Sequence, residues 1–492
     1  MRKAALLRKR YVYILSSVCE LLCLFGVIML MPLLLCVMWG VDRSDIVAFA
    51  VPGCLLLAGG ALGWLPLGRN SRQELTLPDG GVIVLLAWLC ASVAGALPFM
   101  ISSVRLSFSH AIFESVSGLT TTGLTLVDVT TASHAILLWR SILQLVGGAG
   151  LAIMMMAALI GPSSPVVSAS EGRADQLVPH VRKSARLVLA LYSGYVLFGI
   201  LGYSMVGLTL FDALAHTFTA VATGGFSTHP ESIGYWDSPS VEGVTIVLMI
   251  LGNFNFVTAW LLVRGRIRAF AKNGEIRVLA FLIATGAGVL FLSVTATAYP
   301  TLGKALRTAA FECISALTGT GFTSTNYAGW SPLGFLVLII LMLVGGGTCS
   351  TSGALKQFRV YVLIKTVYWE VRRALLPQRA VLPKVVWEGE DKGEVGDARL
   401  HAIAAYCFLY LVSWLLGSLI LTAHGYGVKE SLFEYASALG TVGLSLGITR
   451  PDTPLGVIWT ETAGMFLGRL EFFVVFISLV KLVRDTTRML NT

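Results

Sequence analysis

Apolar runs long enough to cross a bilayer as helices recur ten times along the chain, at roughly 11–39, 45–67, 82–101, 136–160, 186–207, 241–263, 278–298, 331–369, 401–423 and 455–483. About 20 such residues suffice for one crossing. Ten is even, so both termini are expected on one side. Lysines and arginines concentrate in the N-terminal segment Met1–Arg10 and in alternate connections: Arg69–Gly81, Gly161–Ala185, Arg264–Arg277 and Arg372–Arg399, the last containing the charged stretch Glu388–Arg399. The positive-inside rule places these connections and both termini in the cytoplasm. The apolar run after Arg10 extends to about Trp39, too long for a signal-peptide core, and predicts a retained first span. No connection is long enough to be a catalytic domain, so any large cytosolic apparatus must come from another polypeptide.

Composition narrows the class. Of 492 residues, 55% are hydrophobic and 13% charged, with a mean hydropathy of +0.78. A soluble protein carries about 25% charged residues, so the chain is an integral membrane protein. Its net charge of +9 follows from topology and gives no reason to expect nucleic acid as a partner. The eight cysteines mostly stand singly in apolar runs without CxxC spacing, and read as small buried hydrophobes.

After the first two spans a short segment recurs four times between long spans: AIFESVSGLTTTGLT (111–125), DALAHTFTAVATGGFS (212–227), AAFECISALTGTGFT (309–323) and SLFEYASALGTVGLS (431–445). Glu114, His216, Glu312 and Glu434 stand nine residues before Gly123, Gly225, Gly321 and Gly443, and Thr125, Ser227, Thr323 and Ser445 stand two after. One TTTG would be a commonplace turn; four copies in one register are an internal repeat. The boundaries expected from it are an N-terminal helix pair (1–70) and repeats at 71–170, 171–272, 273–380 and 381–492.

Each copy offers roughly ten helix-compatible residues before a Thr/Gly-rich stretch, too few to cross, so it must enter and leave on one face. Irregular backbone at membrane depth survives only where protein encloses it or it lines an aqueous cavity. Four such loops therefore meet around one axis. A half-helix entering from outside aims its negative C-terminal end at the membrane centre, glycine lets the carbonyls turn inward, and rings of carbonyls replace the hydration shell of potassium. The fold expected is an all-α polytopic membrane protein of ten transmembrane helices, with four M1–pore-loop–M2 repeats in pseudo-fourfold arrangement plus an extra N-terminal helix pair. The residues expected to line the ion path are Thr121, Thr122, Gly123, Thr223, Gly224, Gly225, Thr320, Gly321, Phe322, Thr441, Val442 and Gly443.

The filters TTTGLT, ATGGFS, TGTGFT and GTVGLS resemble those of the Trk/Ktr/HKT superfamily of potassium-uptake proteins over nearly the whole chain. The N-terminal pair, GGFSTHPESIGY after Gly224, GGGTCSTSGALKQFR at 345–359 and LGRLE at 467–471 are most similar to the bacterial TrkH/TrkG subfamily, although GTVGLSLGIT is similar to the Ktr branch. The resemblance implies potassium as the transported ion, with no covalent cofactor. It also implies a homodimer in the bacterial inner membrane and a cytosolic ring of nucleotide-binding subunits of the TrkA type, so that nucleotide is expected only on the partner. In that family four filter glycines go with potassium preference and a serine in the first repeat with sodium.

The eighth span runs into Gly345, Gly346, Gly347, Thr348, Cys349, Ser350, Thr351, Ser352 and Gly353, which cannot hold a helix in lipid. It is expected as a plug beneath the filter or as a small-residue packing seam, and the resemblance implies the gate. Arg469, mid-span, must face a partner or the aqueous cavity: an electrostatic barrier acting with the loop, or a pair with Glu471 or a loop carbonyl. Lys356 joins the plug or snorkels. Arg140 and Gln144, one turn apart, are placed to brace a pore helix through Glu114 or Glu434. Glu114, Glu312 and Glu434 are expected near the outer ends of the pore helices, with His216 a hydrogen-bonded structural histidine. Asp128, Glu231, Asp237 and Asp452 either concentrate cations at the mouth or are ordinary loop residues.

No nucleophile–base pair, HExxH or P-loop is present, so enzyme chemistry is not expected. A polytopic membrane enzyme acting on lipids and a passive scaffold remain as rivals. A proton- or sodium-coupled symport is the nearest rival mechanism, and it is disfavoured because no unpaired carboxylate is expected in the deeper half of the spans.

Overall fold

In the computed structural model six unbroken helices among the described residues are long and apolar enough to cross a membrane: Leu7–Trp39, Arg43–Pro66, Pro78–Ile101, Leu187–Met205, Gly274–Ala298 and Asp397–Ala423. The structure describes residues 2–40, 42–68, 76–150, 181–348, 350–377, 382–388 and 391–490. The end of the fourth expected span (151–160), the connections at 69–75 and 161–180, and Cys349 lie outside them. The first two of the six form the N-terminal pair, which packs through a seam of small residues: Gly26 faces the Gly53 carbonyl, and Gly60 faces the backbone at Cys19 and Cys23. The other four are the first helices of the four repeats.

Each first helix leads into a shorter one: Phe108–Leu119, Leu210–Val221, Leu302–Thr318 and Val428–Gly440. At ~1.5 Å per residue, the 12-residue members reach only about 18 Å. Ser107 and Thr209 start the first two by accepting from the amides of His110 and Asp212. After the Thr/Gly segment the second helices begin at His134, Pro239, Pro332 and Leu455.

Two of these second helices correct the expectation of continuous spans, and a third breaks at the Gly-rich segment where its helix was expected to end. The helix Pro239–Asn253 stops at extended Phe254, Asn255 caps a new helix at Phe256–Val263, and the two are bent by 119°. Pro332–Val344 ends at Gly345 (φ 67°), and helix resumes only at Gln357. Leu455–Leu470 ends at left-handed Glu471 (φ 62°) before Phe472–Leu490. The apolar count missed the breaks at Phe254 and Glu471 because the residues around them are mostly apolar, like those in the helices. Hydropathy measures transfer from water, and it carries no information about a local turn in φ.

A second correction is minor: Val385–Glu388 and Asp391–Glu394 pair as an antiparallel hairpin in an otherwise helical chain. Of the six cysteines described, only Cys313 and Cys407 are buried.

The short and second helices touch at the backbone. A Cβ on Gly147, Gly252 or Gly468 would run into the carbonyl oxygen of Leu119, Val221 or Leu439, the residue four before the filter glycine in repeats one, two and four. Replacing Gly468 with Leu is expected to part these helices and lower the melting temperature of the purified protein by several degrees, whereas the same change at Gly303, with open space around it, leaves it unchanged.

Candidate functional site

Beyond each short helix the chain turns through left-handed backbone twice. Thr121, Thr223, Gly319 and Thr441 have φ of 58°, 51°, 69° and 53°; Gly123, Gly225, Gly321 and Gly443, two residues on, have 95°, 77°, 79° and 98°. A β-branched residue at positive φ costs of order 1–3 kcal/mol, so contacts from elsewhere must hold the three threonines. A Cβ on Gly123 would collide with the Gly224 carbonyl oxygen, on Gly225 with that of Thr320, on Gly321 with that of Val442, and on Gly443 with that of Thr122. The contacts run from repeat one to two, three, four and back to one. Four carbonyls at the same offset, one per repeat, thus lie around a single axis, fully buried.

The remaining expected members play unequal parts. The Phe322 carbonyl accepts from Ser315 Oγ at 2.6 Å and its ring packs on His216, 5.8 Å between centroids. Gly224 is crowded by Gln144, whose amide takes the space of a Cβ, donates to the Gly224 carbonyl at 2.6 Å and accepts from the Phe226 amide at 3.2 Å.

Glu114, His216, Glu312 and Glu434 are not at the outer helix ends as expected. They sit in helix interiors, fully buried, and their length lets them reach the strand that leaves the filter. Glu114 accepts from Thr125 Oγ1 (2.9 Å) and the Leu126 amide (2.9 Å). Glu434 accepts from Ser445 Oγ (2.6 Å) and the Leu446 amide (2.9 Å). His216 does the same with Nε2, 3.0 Å from Ser227 Oγ, while Nδ1 lies 2.9 Å from the Asp212 carbonyl. In repeat three the tie shifts by one residue: Glu312 holds Ser324 through its amide (2.8 Å) and hydroxyl (3.0 Å), with Tyr327 at 2.6 Å, and Thr323 bonds instead to Ser232.

Arg140 braces Glu114, not Glu434: Nε lies 2.8 Å from Oε1, with the guanidinium 1% exposed. It also donates to Thr125 Oγ1 and the Ser227 carbonyl and stacks 4.0 Å over Phe226, tying repeats one and two together. Sequence reasoning missed Ser117, Ser315 and Ser437, six residues before the filter glycines, whose hydroxyls bond to Leu124, Phe322 and Gly443. Their constant offset was the available signal.

The segment 345–356 lies directly against the four left-handed positions. Thr351 Oγ1 is 2.7 Å from Thr223 Oγ1, its carbonyl accepts from Thr121 Oγ1 at 3.2 Å, the Gly353 amide donates to Thr441 Oγ1 at 3.0 Å, and Ser352 Oγ fills the place of a Cβ on Gly319. The other side is held by Asn253, bonded to the Gly347 amide, and Glu275, bonded to that of Thr348. Gly345 and Gly346 carbonyls are taken by Gln357, and Ser350 is buried beside them. Arg469 donates to carbonyls of Thr351, Gly147 (2.6 Å) and Gly148 (3.0 Å), so the loop-carbonyl alternative holds. Glu471 pairs instead with Arg359, both oxygens at 2.8 Å. Lys356 folds back onto the Ser352 carbonyl and belongs to the loop.

On the far side of the carbonyl ring a cavity of about 780 Å³ opens, lined by Glu231, Thr323, Tyr327, Glu430, Ser445 and others. Of the acidic residues expected there, Asp237 is neutralised by Lys304 at 2.9 Å and by Arg307, which hold its carboxyl below the usual range.

The profile of the TrkH family, described as cation transport protein, matches residues 48–487. The chain belongs to the TrkH family. Among relatives of this TrkH-family chain, an uncharacterized cation transporter of Methanocaldococcus jannaschii is 30% identical, with 95% of each chain covered. The Trk system potassium uptake protein TrkH of Halomonas elongata is 30% identical over 93% of this chain and 96% of the relative. The crystal structure of the potassium transporter TrkH from Vibrio parahaemolyticus superimposes with a TM-score of 0.83 at 29% identity, covering 95% and 98%. The TrkH-family chain is thus a multi-pass, predominantly helical membrane protein of a cation-transport family.

The buried Arg140–Glu114 pair makes a test of the bracing in this TrkH-family chain. Arg140→Ala strands a buried carboxylate and is expected to cost about 3–5 kcal/mol, a large loss of thermal stability in detergent, and Glu114→Gln in the same chain restores part of it.

Proposed function

We propose that this chain carries potassium into the cell through the ring made by Thr122, Gly224, Thr320 and Val442 carbonyls at Gly123, Gly225, Gly321 and Gly443. The single observation behind the reading is the closed cycle of contacts linking those glycines across all four repeats. Each short helix also ends at the ring with its C-terminus, the negative end of its dipole, which favours a cation. Relatives named for potassium uptake support the ion, as do four glycines with no serine at the filter position. The inside-negative potential supplies about 2.3 kcal/mol per charge for each 100 mV, so inward passage needs no chemistry.

In this reading the gate is the loop containing Gly345, Gly346, Gly347, Thr348, Ser350, Thr351 and Gly353. Thr351 plugs the path below the ring, and Arg469 pins it while opposing cations by its charge. Opening requires the bonds to Thr121, Thr223 and Thr441 to break together, which suits a pull on the adjoining helix Gln357–Ala374. That pull is assigned to a cytosolic nucleotide-binding subunit of the TrkA type, acting on a homodimer in the inner membrane with both termini cytoplasmic; the resemblance and the basic connections support this.

Complementation of a potassium-uptake-deficient bacterium at low external potassium tests the proposal. Wild type is expected to rescue growth, Gly123→Ser to admit sodium several-fold more readily, and Arg469→Ala to speed influx. Membrane-inserted wild type that carries no potassium in vesicles sinks it.

A further inference from the structure

Glu461 lies in the second helix of repeat four, fully buried, seven residues before Gly468. The expectation of no unpaired carboxylate concerns the deeper half of the spans, whereas Glu461 stands in the first half of Leu455–Leu470; among the described residues its Oε1 has no hydrogen-bond partner, and Oε2 meets only Thr449 Oγ1, at 3.1 Å. No cation is in ion-pair contact with it among the described residues. In repeat one the same register, seven before Gly147, carries Arg140, which balances Glu114. In repeat four an acid faces an acid.

Counting hydrogens assigns the charge. Glu434 accepts from Ser445 Oγ, the Leu446 amide, the Thr449 amide (3.1 Å) and Thr449 Oγ1 (2.7 Å), a full set for an ionised carboxylate. A threonine hydroxyl has one hydrogen, and the shorter contact to Glu434 uses it. The contact between Thr449 Oγ1 and Glu461 Oε2 then needs a hydrogen from Glu461. Two carboxylates sharing one buried hydroxyl cannot both be ionised.

We propose that Glu461 is a proton-binding site, a neutral carboxylic acid donating to Thr449, which donates to the Glu434 carboxylate. The proton completes the tie that anchors the strand Ser445–Thr449 behind the fourth filter. Other ionisable groups leave the assignment intact. Tyr435, from the short helix of repeat four, and Tyr410, on the first helix, are phenols, whose ordinary value of about 10 leaves them uncharged at neutral pH. Glu114, on the repeat-one helix that also packs here, is committed to Arg140, and Arg450 is exposed with its guanidinium against Gly447. Removing the proton places two anions across Thr449 and loosens the strand, so transport falls as pH rises while the neutral isostere Gln is indifferent.

The flux arm rests on the transport reading above, and the spectroscopic arm does not. Infrared spectra of the full-length protein in lipid are expected to contain a protonated carboxyl C=O band at neutral pH that disappears in Glu461→Gln and shifts in Thr449→Val, where the hydroxyl acceptor is lost. Potassium flux into vesicles is expected to drop several-fold from neutral to strongly alkaline pH in wild type and to stay level in Glu461→Gln. A band unaltered in Glu461→Gln, or a Gln variant that keeps the wild-type pH slope, overturns the site. So does a folded Gln variant inactive at every pH, since its amide can donate to Thr449 as the acid does.

Discussion

Everything in the interior answers one demand: backbone polar groups removed from water must find partners inside the protein. The segments after the four short helices cannot satisfy themselves, because left-handed turns at Thr121, Thr223, Gly319 and Thr441 take them out of any helical ladder. They are satisfied by side chains from behind and by the 345–356 loop from below, and the carbonyls before the four glycines abut the neighbouring repeats around the axis, that of Gly224 accepting also from Gln144. A single repeat has no stable way to bury such a segment. Four arranged in a cycle enclose one another, which is why each glycine abuts the next repeat and not its own.

The bracing uses different chemistry for one geometric task. A buried acceptor on each short helix must reach the strand leaving the filter, and glutamate does this three times. Histidine does it once, through a ring nitrogen, with its second nitrogen turned to a backbone carbonyl. The crosslinks between repeats are less uniform. Gln144 clamps the second filter from the helix of the first, and it is accommodated because residue 224 has no side chain to occupy that volume. The fourfold symmetry therefore holds for the offset of the brace from the glycine, while the residue it ties shifts by one in repeat three and each repeat uses its own side chains.

Much of this was legible in the sequence. The spacing of Glu114 and its counterparts to the filter glycines fixes the register of all four loops, and hydropathy locates the N-terminal pair and every first helix. Other features depend on partners far away in the chain. That Glu114 meets Arg140 while Glu434 meets Glu461 cannot be read from either helix alone, since the contact is set by how the second helix rotates against the short one. The breaks at Phe254 and Glu471 were hidden for a related reason: each is held by tertiary contacts, Asn253 to Gly347 and Glu471 to Arg359, and neither contact has a local signature. A spacing of nine residues from the glycine overstates how far back along the helix the brace stands, because the irregular turn uses several of the nine before the helix begins.

In the proposed reading the loop at 345–356 closes the transport path without a rigid barrier. A continuous third-repeat helix would satisfy its own backbone and could not be moved at low cost. The observed segment instead borrows hydrogen bonds from three filter threonines, Asn253, Glu275 and Arg469, each net about 0.5–1.5 kcal/mol, or more where a charge is involved. The sum is large enough to keep Thr351 in place. It is also made of separate hydrogen bonds, so the loop leaves its place only when those to Thr121, Thr223 and Thr441 are released together. In that reading the closed state occupies the threonine hydroxyls that an open state would return to the path.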